Sequence, residues 1–324
     1  MRMSTLARLL AGGALLSLAC GFATAQEQNC PPPAPTLQSL RPEQMKADVR
    51  DRGFLWKLTR DGRTSWLYGT VHVSRPEWVL PGPTVRDALI GSPVLVLELD
   101  LGDPELARVF ATPEDPARVQ RVMAGLGARM AKAAARECVP AGIERMQPLL
   151  QVTTLGLYET RRDGFHPELA VDAVLWGMAR YTGKRVIPLE TPASQLAAVL
   201  PESEADERVL LTQGLDEIES GEGRGTLLRL LQAWGDGDAN TLVSYSEWCE
   251  CMGTPEERRY MTRLIDERNG PMADKLARLH ASGQNFFAAV GSLHMTGPQA
   301  LDKLLGARGF QVERVVFPSP QARP

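Results

Sequence analysis

The sequence contains few histidines and cysteines and has no strong excess of either charge. Its 324 residues include four His, five Cys and only 6% aromatic residues. The 36 Lys and Arg stand against 39 Asp and Glu, with a pI of about 5.9, so composition gives no electrostatic reason to expect nucleic-acid binding. The length and the 44% hydrophobic content suit a sizeable core and exclude a disordered, collagenous or coiled-coil chain.

Long apolar runs are also absent. No segment approaches the roughly 18 apolar residues that a membrane span needs. The short apolar stretch Leu9–Ala19 follows a positively charged start and precedes the small-x-small sequence Ala23–Ala25. This order predicts a signal peptide over residues 1–25, cut after Ala25. Lipoprotein processing at Cys20 is the less favoured alternative, since the residue three positions earlier is not aliphatic. We therefore expect a periplasmic or secreted protein without a transmembrane span.

Four cysteines remain after such cleavage, an even number in a compartment that permits disulfides. Cys249 and Cys251 stand too close in sequence to favour bonding to each other, so we expect each to pair with Cys30 or Cys138. A metal site or a thiol nucleophile is the alternative for the Cys249-x-Cys251 pair, but no His lies near it in sequence. Structural disulfides are the favoured interpretation.

Strand patterns stand near both ends of the chain, and helical patterns fill the middle. Residues 26–50 contain three consecutive prolines and few large apolar residues, which predicts a linker or an extended arm. Residues 51–320 are expected to form one α/β domain with a helical insertion at about 104–285. Its mixed central sheet would be built from N- and C-terminal strands around this large helical middle region. The predicted strands are Phe54–Leu58, Thr64–Tyr68, Val94–Leu99, Lys184–Leu189, Asn285–Val290 and Gln311–Phe317.

Two predicted helices carry a charged residue on their apolar face. One is expected to start at Pro167 and places Asp172 in line with apolar neighbours at helical spacing. The other places Arg268 on its apolar face and is expected to end at Asn269 or Gly270, where such residues commonly cap a helix. Asp172 is interpreted as a network partner, and Arg268 as a cation that pairs with a carboxylate or stabilises an oxyanion.

The same Gly-x-x-His motif follows two of the apolar strands. Gly69 and His72 form the first copy, and Gly291 and His294 form the second. Glycine permits a tight turn at a strand end, and the histidine is then carried into the crevice above the sheet. Buried structural histidines are the alternative, but the repetition of the motif favours a functional site.

Two further strands end in carboxylates, Glu98 and Glu190. Ligands bind beyond the carboxyl ends of strands in open α/β sheets, so these side chains could converge with His72 and His294. Two imidazoles and one carboxylate around an open position form a known hydrolytic metal arrangement, and a second carboxylate could serve as general base. For Glu190, a position at a helix N-terminus is an equally good interpretation.

The chain carries an ordered set of motifs: Leu67-Tyr68-Gly69-Thr70-Val71-His72, Leu97-Glu98-Leu99-Asp100, Leu189-Glu190-Thr191 followed by Gln195, Glu267-Arg268-Asn269 and Ala289-Val290-Gly291-Ser292-Leu293-His294. In these motifs it resembles the TraB/GumN family, which is similar to the Tiki proteases and more distantly to erythromycin esterase-like and ChaN-like proteins. The resemblance implies an α/β core around a helical middle. It also implies that His72, Glu98 and His294 belong to the active site of metal-dependent peptidases.

The leading functional hypothesis is an exported metal-dependent hydrolase, in particular a peptidase. His72, Glu98 and His294 would hold a divalent ion of the Mn, Co or Zn type, Glu190 would assist proton transfer, and Arg268 would stabilise the oxyanion. Gly69, Gly291 and Asp172 would support this site. The partner would be a peptide or small-molecule substrate. A non-catalytic envelope protein that binds a peptide or haem is the alternative.

Overall fold

The computed structural model describes residues 30–33, 35, 39–46, 48–110 and 115–317; the expected signal peptide lies outside them. Six strands form one mixed sheet in the order β4-β3-β5-β2-β1-β6. The sheet joins strands from both ends of the chain around a largely helical middle, which confirms the predicted α/β class. The strands are β1 Phe54–Arg60, β2 Arg63–Thr70, β3 Val94–Leu97, β4 Arg185–Pro188, β5 Phe287–Gly291 and β6 Gln311–Val315.

The pairing of the strands brings the two ends of the chain together. β1 and β2 form an antiparallel hairpin, whose turn residues Asp61 and Gly62 both have positive φ, as the tight hairpin turns of this kind require. β2 then pairs in parallel with β5, which pairs with β3, which pairs with β4. Four strands therefore run in one direction and end at the same edge of the sheet.

The central strands are buried on both faces. All four residues of β3 are buried, and Leu95, Val96 and Ala288 have no exposed surface. Continuous apolar runs of this type are expected where helices cover both sides of a parallel sheet. This burial fixes where each strand ends, and so fixes the positions of the polar residues that follow.

Fifteen α-helices in the described part of the chain surround the sheet or form the middle region. The first seven are α1 Pro42–Lys46, α2 Pro83–Gly91, α3 Glu105–Phe110, α4 Pro116–Val122, α5 Gly127–Glu137, α6 Pro148–Glu159 and α7 Val171–Tyr181. The others are α8 Pro192–Val199, α9 Glu204–Ser220, α10 Glu222–Asp236, α11 Ala239–Val243, α12 Tyr245–Trp248, α13 Pro255–Met261, α14 Glu267–Ala281 and α15 Leu301–Ala307. None of the helices that the structure describes is long and apolar enough to cross a membrane.

The helical middle region has an apolar cluster of its own. Leu149, Val152 and Leu155 on α6 pack with Leu211 and Leu215 on α9, apart from the cluster that surrounds the sheet. The amino-terminal arm is packed as well, since Leu40 is 6% exposed in a third small cluster.

Two helix boundaries differ from the sequence prediction. Pro167–Leu169 is a separate 3-10 turn, and α7 begins only at Val171. α14 does not end after Arg268 but continues through Pro271 to Ala281. A proline removes one helix hydrogen bond and crowds the preceding turn. The π-helical turn Thr262–Asp266 lies directly before α14, and such turns absorb distortions within a helical run.

The predicted cysteine pairing is wrong. Cys30 is bonded to Cys138, and Cys249 to Cys251, with Cα atoms 5.1 Å apart in the second pair. Glu250 between them adopts a left-handed φ of 57°, and this tight turn brings the two Cα atoms within the range that a disulfide spans. Sequence proximity therefore did not exclude the bond.

Candidate active site

The two Gly-x-x-His segments are direct neighbours because β2 and β5 pair in parallel. Thr70, at the end of β2, lies opposite Gly291, at the end of β5. A Cβ on Gly69 would lie only 2.8 Å from Oγ of Ser292, which donates a hydrogen bond to the Thr70 carbonyl at 2.9 Å. The glycine of the first motif thus leaves the space into which the second motif packs.

His294 is held in one orientation by Asn269. The Asn269 amide nitrogen donates to the carbonyls of His294 (3.2 Å) and Gln299 (2.8 Å), so its oxygen is the acceptor that faces Nδ1 of His294 at 2.6 Å. This hydrogen-bond network assigns the proton to Nδ1 and leaves the Nε2 lone pair free. Nε2 lies 3.7 Å from Oε1 of Glu98.

His72 lies at the open side of the same group. Its side chain is 56% exposed, and its Nδ1 lies 3.4 Å from Oδ1 of Asp172. A Cβ placed on Gly291 would come within 3.7 Å of His72 Nε2 and 3.3 Å of Glu98 Oε1. The Nε2 atoms of both histidines therefore face the region around Glu98 and Gly291, and a side chain at Gly291 would crowd it.

Both oxygens of Glu98 are engaged. Oε1 accepts from the backbone N–H of Gly291 at 2.7 Å. Oε2 accepts from Arg268 at 2.6 Å and from the Gln195 side chain at 3.0 Å. The side chain is only 14% exposed, so the carboxylate is fixed from three sides.

Arg268 joins the two strand-end carboxylates. Its Nε and Nη2 donate to the two oxygens of Glu190 at 3.0 and 2.6 Å, while Nη2 also reaches Glu98. Nη1 donates to the Leu264 carbonyl at 2.9 Å, and the side chain is only 8% exposed. The guanidinium is thus committed to carboxylates, which corresponds to the first of its two predicted roles.

The environment separates the pKa values of the three central groups. Burial would raise the pKa of Glu98, but His294 and Arg268 lower it to about 2. Burial lowers the pKa of His294 to about 4, with Arg268 adding to this effect and Glu98 opposing it. Desolvation would lower the pKa of His72, but Asp172 and then Glu98 raise it to about 9. His294 is therefore the weaker base of the two histidines, and His72 is the stronger one.

A cavity of about 230 Å³ opens beside these groups. Its lining includes Thr70, His72, Glu98, Leu99, Asp172 and Gln195. The volume is below the range of about 300–1,000 Å³ that is typical of drug-sized ligands. The cavity therefore suits a single functional group of a larger molecule.

The structure brings together every non-cysteine site residue that the sequence singled out, namely His72, Glu98, Asp172, Glu190, Arg268 and His294 with the two glycines Gly69 and Gly291. Sequence reasoning expected Asn269 only as a cap at a helix end and assigned no role to Gln195. Asn269 directly follows Arg268, and Gln195 stands in α8, the helix that follows Glu190.

The donors of this group fit a divalent cation in their chemistry. Each imidazole has an outer partner at Nδ1, which is the arrangement that usually orients metal-binding histidines through Nε2. Glu98 supplies a carboxylate oxygen 3.7 Å from His294 Nε2. Among the residues that the structure describes, however, no three His, Cys, Asp or Glu side chains are grouped closely enough to hold an ion as they stand. The exposed His72 side chain is the member that packing restrains least.

These features define an α/β domain in which two Gly-x-x-His loops and two carboxylates meet at one edge of a mixed sheet. The model of the TraB/PrgY/gumN family matches residues 54–314, and the chain belongs to this family. No curated protein and no solved structure gives a significant match.

Proposed function

We propose that the chain is an exported, metal-dependent hydrolase that acts on peptides. The observation that carries this proposal is the convergence of His72 and His294 on Glu98, with each imidazole anchored through Nδ1. His72, Glu98 and His294 would hold the cation, which when bound would supply an activated water and polarise the scissile carbonyl. The two disulfides support export, because such bonds are common in oxidising compartments.

The remaining residues hold this group in place. Arg268 and Gln195 fix one oxygen of Glu98, and Glu190 fixes Arg268. Since the Arg268 guanidinium already binds two carboxylates and a carbonyl, we assign it to positioning Glu98 rather than to an oxyanion. Glu190, bound through both oxygens, then serves the same positioning role instead of proton transfer.

The small volume of the cavity favours a group of an extended substrate over a large cofactor. Its volume of about 230 Å³ accepts a peptide bond with a neighbouring side chain. Leu99 and Leu101 also line the cavity, and Leu101 is 39% exposed, which suits an apolar side chain beside the scissile bond. The resemblance to Tiki-type proteases makes peptides the first substrates to examine.

The test is metal analysis of the purified chain together with assays on a peptide library. We expect about one bound divalent ion per chain and peptide cleavage, both lost in His294→Ala and strongly reduced in His72→Ala. The matched control is His166→Asn, because His166 lies outside this group and its Nδ1 has no hydrogen-bond partner among the described residues. Retention of metal and activity in both alanine variants would refute the proposal. Saturable peptide or haem binding without product would instead support the non-catalytic alternative.

A further inference from the structure

A second and larger cleft lies in the helical middle region, away from the candidate active site. It has a volume of about 520 Å³ and shares none of its lining residues with the cavity beside His72. Its apolar wall consists of Leu149, Val152, Leu210, Leu227 and Leu230. This volume lies within the range typical of small-molecule sites.

The charged residues that line this cleft are all acidic. None of the described lining residues is a lysine or an arginine. Two of the carboxylates are engaged at the rim, since Asp216 pairs with Arg129 and Glu257 accepts from the backbone N–H of Thr254. The carboxylates are Glu159, Asp216, Glu217, Glu222, Glu250 and Glu257.

Glu217 shows how strongly these carboxylates act on one another. Although the residue is exposed at the rim, partial desolvation of its carboxylate in the cleft raises its pKa, and the neighbouring Glu257, Glu222 and Glu250 raise it further. A group of this kind gains most from a cation in the cleft, because the cation would relieve repulsion among several carboxylates at once.

Glu159 is a second, independent observation that points to a ligand in this cleft. Its side chain is only 5% exposed and its Oε1 pairs with Arg136, but the buried Oε2 has no hydrogen-bond partner among the described residues. Unsatisfied buried oxygens are uncommon and costly. Because Glu159 lines the cleft, a donor bound there could satisfy it.

Two tyrosines complete the walls. Tyr245 and Tyr260 line the cleft, and Trp248 packs edge-on against Tyr245 with ring centroids 5.0 Å apart. Aromatic faces attract organic cations. A simple metal ion fits less well, because no three acidic side chains in the described part of the chain are grouped closely enough to hold one.

We propose that this cleft binds a linear organic polycation of the polyamine class. Its ammonium groups would contact Glu159 and Glu217, and its methylene segments would lie on the leucine wall. Such a ligand matches a cleft whose lining combines carboxylates with apolar surface, and the site is independent of the proposed hydrolytic centre.

Calorimetric titration of the purified chain with spermine tests this proposal. We expect saturable binding of one spermine per chain, weakened in 0.5 M salt. The variants Glu159→Gln and Glu217→Gln should each weaken it by about tenfold, the loss of roughly one charge-assisted hydrogen bond. The control Glu313→Gln, on edge strand β6, should bind like the wild type. Trp248 fluorescence provides a second readout at the cleft.

Three outcomes would overturn the proposal. They are a titration without saturation, an equal loss in the Glu313→Gln control, and binding of Mg²⁺ as tight as that of spermine. If circular dichroism shows that Glu159→Gln is not folded, Glu217→Gln decides the question, because Glu217 is an exposed residue at the rim.

Discussion

Asn269 sets the proton position of His294: its side-chain oxygen lies 2.6 Å from His294 Nδ1, while its amide nitrogen is bound to two backbone carbonyls. An amide held in this way can only accept from the ring. The buried imidazole therefore presents an unprotonated Nε2 toward Glu98. Two residues 25 positions apart in sequence thus define the chemical form of the central histidine.

The first prediction concerns this tautomer. In Asn269→Ala the fixed acceptor is lost, so we expect ¹⁵N NMR to show His294 as a mixture of tautomers rather than the Nδ1-protonated form alone. Metal affinity or activity should fall about 10- to 100-fold, as is typical when an outer partner of a metal-binding histidine is removed. The His280 resonances serve as an internal control, since His280 bonds to Ser65 and Arg60 elsewhere. An unchanged His294 spectrum would contradict the assignment.

The second prediction concerns the close approach at Gly291. Its φ is −51°, so alanine is compatible with the backbone, but the new Cβ would lie 3.3 Å from Glu98 Oε1. We expect Gly291→Ala to fold normally and to lose about tenfold in activity, because small displacements of catalytic groups are costly. Gly177→Ala is the matched control, since open space surrounds that position on α7. Equal activity in the two variants would show that Glu98 has room to move.

The edge of the sheet at which the site lies could be predicted from the sequence. The apolar runs that end at Thr70, Leu97, Pro188 and Gly291 are parallel strands, and strands of this kind place the residues that follow them at one edge. The sequence also predicted that both ends of the chain contribute to one sheet, but it did not predict that β2 and β5 are direct neighbours.

The contacts that complete the site were not accessible from local sequence. Glu98 and Arg268 are 170 residues apart, and no local pattern indicates which strand-end carboxylate Arg268 contacts. The bond between Cys249 and Cys251 depends on the left-handed conformation of Glu250. The first contact is set by tertiary packing across a long sequence separation, and the second by a backbone conformation that residues other than glycine rarely adopt.

The third prediction concerns Arg268 as the bridge between Glu98 and Glu190. In Arg268→Ala two mostly buried carboxylates lose their shared cation, and we expect a loss of about 3–5 kcal/mol in the free energy of unfolding. Adding Glu190→Gln to this variant should recover part of the loss, because one of the two uncompensated charges is then removed. Urea denaturation followed by circular dichroism measures both values. A loss below about 1 kcal/mol in Arg268→Ala would mean that solvent screens the carboxylates.

The fourth prediction compares how much each of the two disulfides contributes to the stability of the fold. The bond between Cys30 and Cys138 closes a loop of 108 residues, and loop-closure entropy assigns about 4–5 kcal/mol to a loop of that size. The bond between Cys249 and Cys251 spans a sequence separation of 2, for which the same relation gives about 1–2 kcal/mol. The double serine variant of the first pair should therefore lose more stability in urea than that of the second. The reverse order would show that the small loop stabilises the native turn directly.

The fifth prediction concerns stability as a function of pH. Burial raises the pKa of Glu159 from 4.5 to about 7, and the neighbouring Glu137 contributes to this rise. Arg136 and Arg224 act in the opposite direction and lower this pKa, but their effect is smaller than that of burial. A raised folded-state pKa means that the stabilising contribution is complete below pH 4.5 and is lost as pH rises through 7. The pKa shift of Glu159 corresponds to a change of about 3 kcal/mol in the free energy of unfolding between pH 4.5 and pH 7.

The measurement is the difference in unfolding free energy between the wild type and Glu159→Gln, taken at pH values from 4.5 to 8. Because glutamine does not titrate, the variant should gain stability relative to the wild type by up to about 3 kcal/mol as pH rises. The exposed Glu105→Gln serves as the control, and its difference from the wild type should show no such rise. If the Glu159→Gln difference stayed constant across this range, Arg136 would compensate the Glu159 charge fully, and the carboxylate would be ionised throughout.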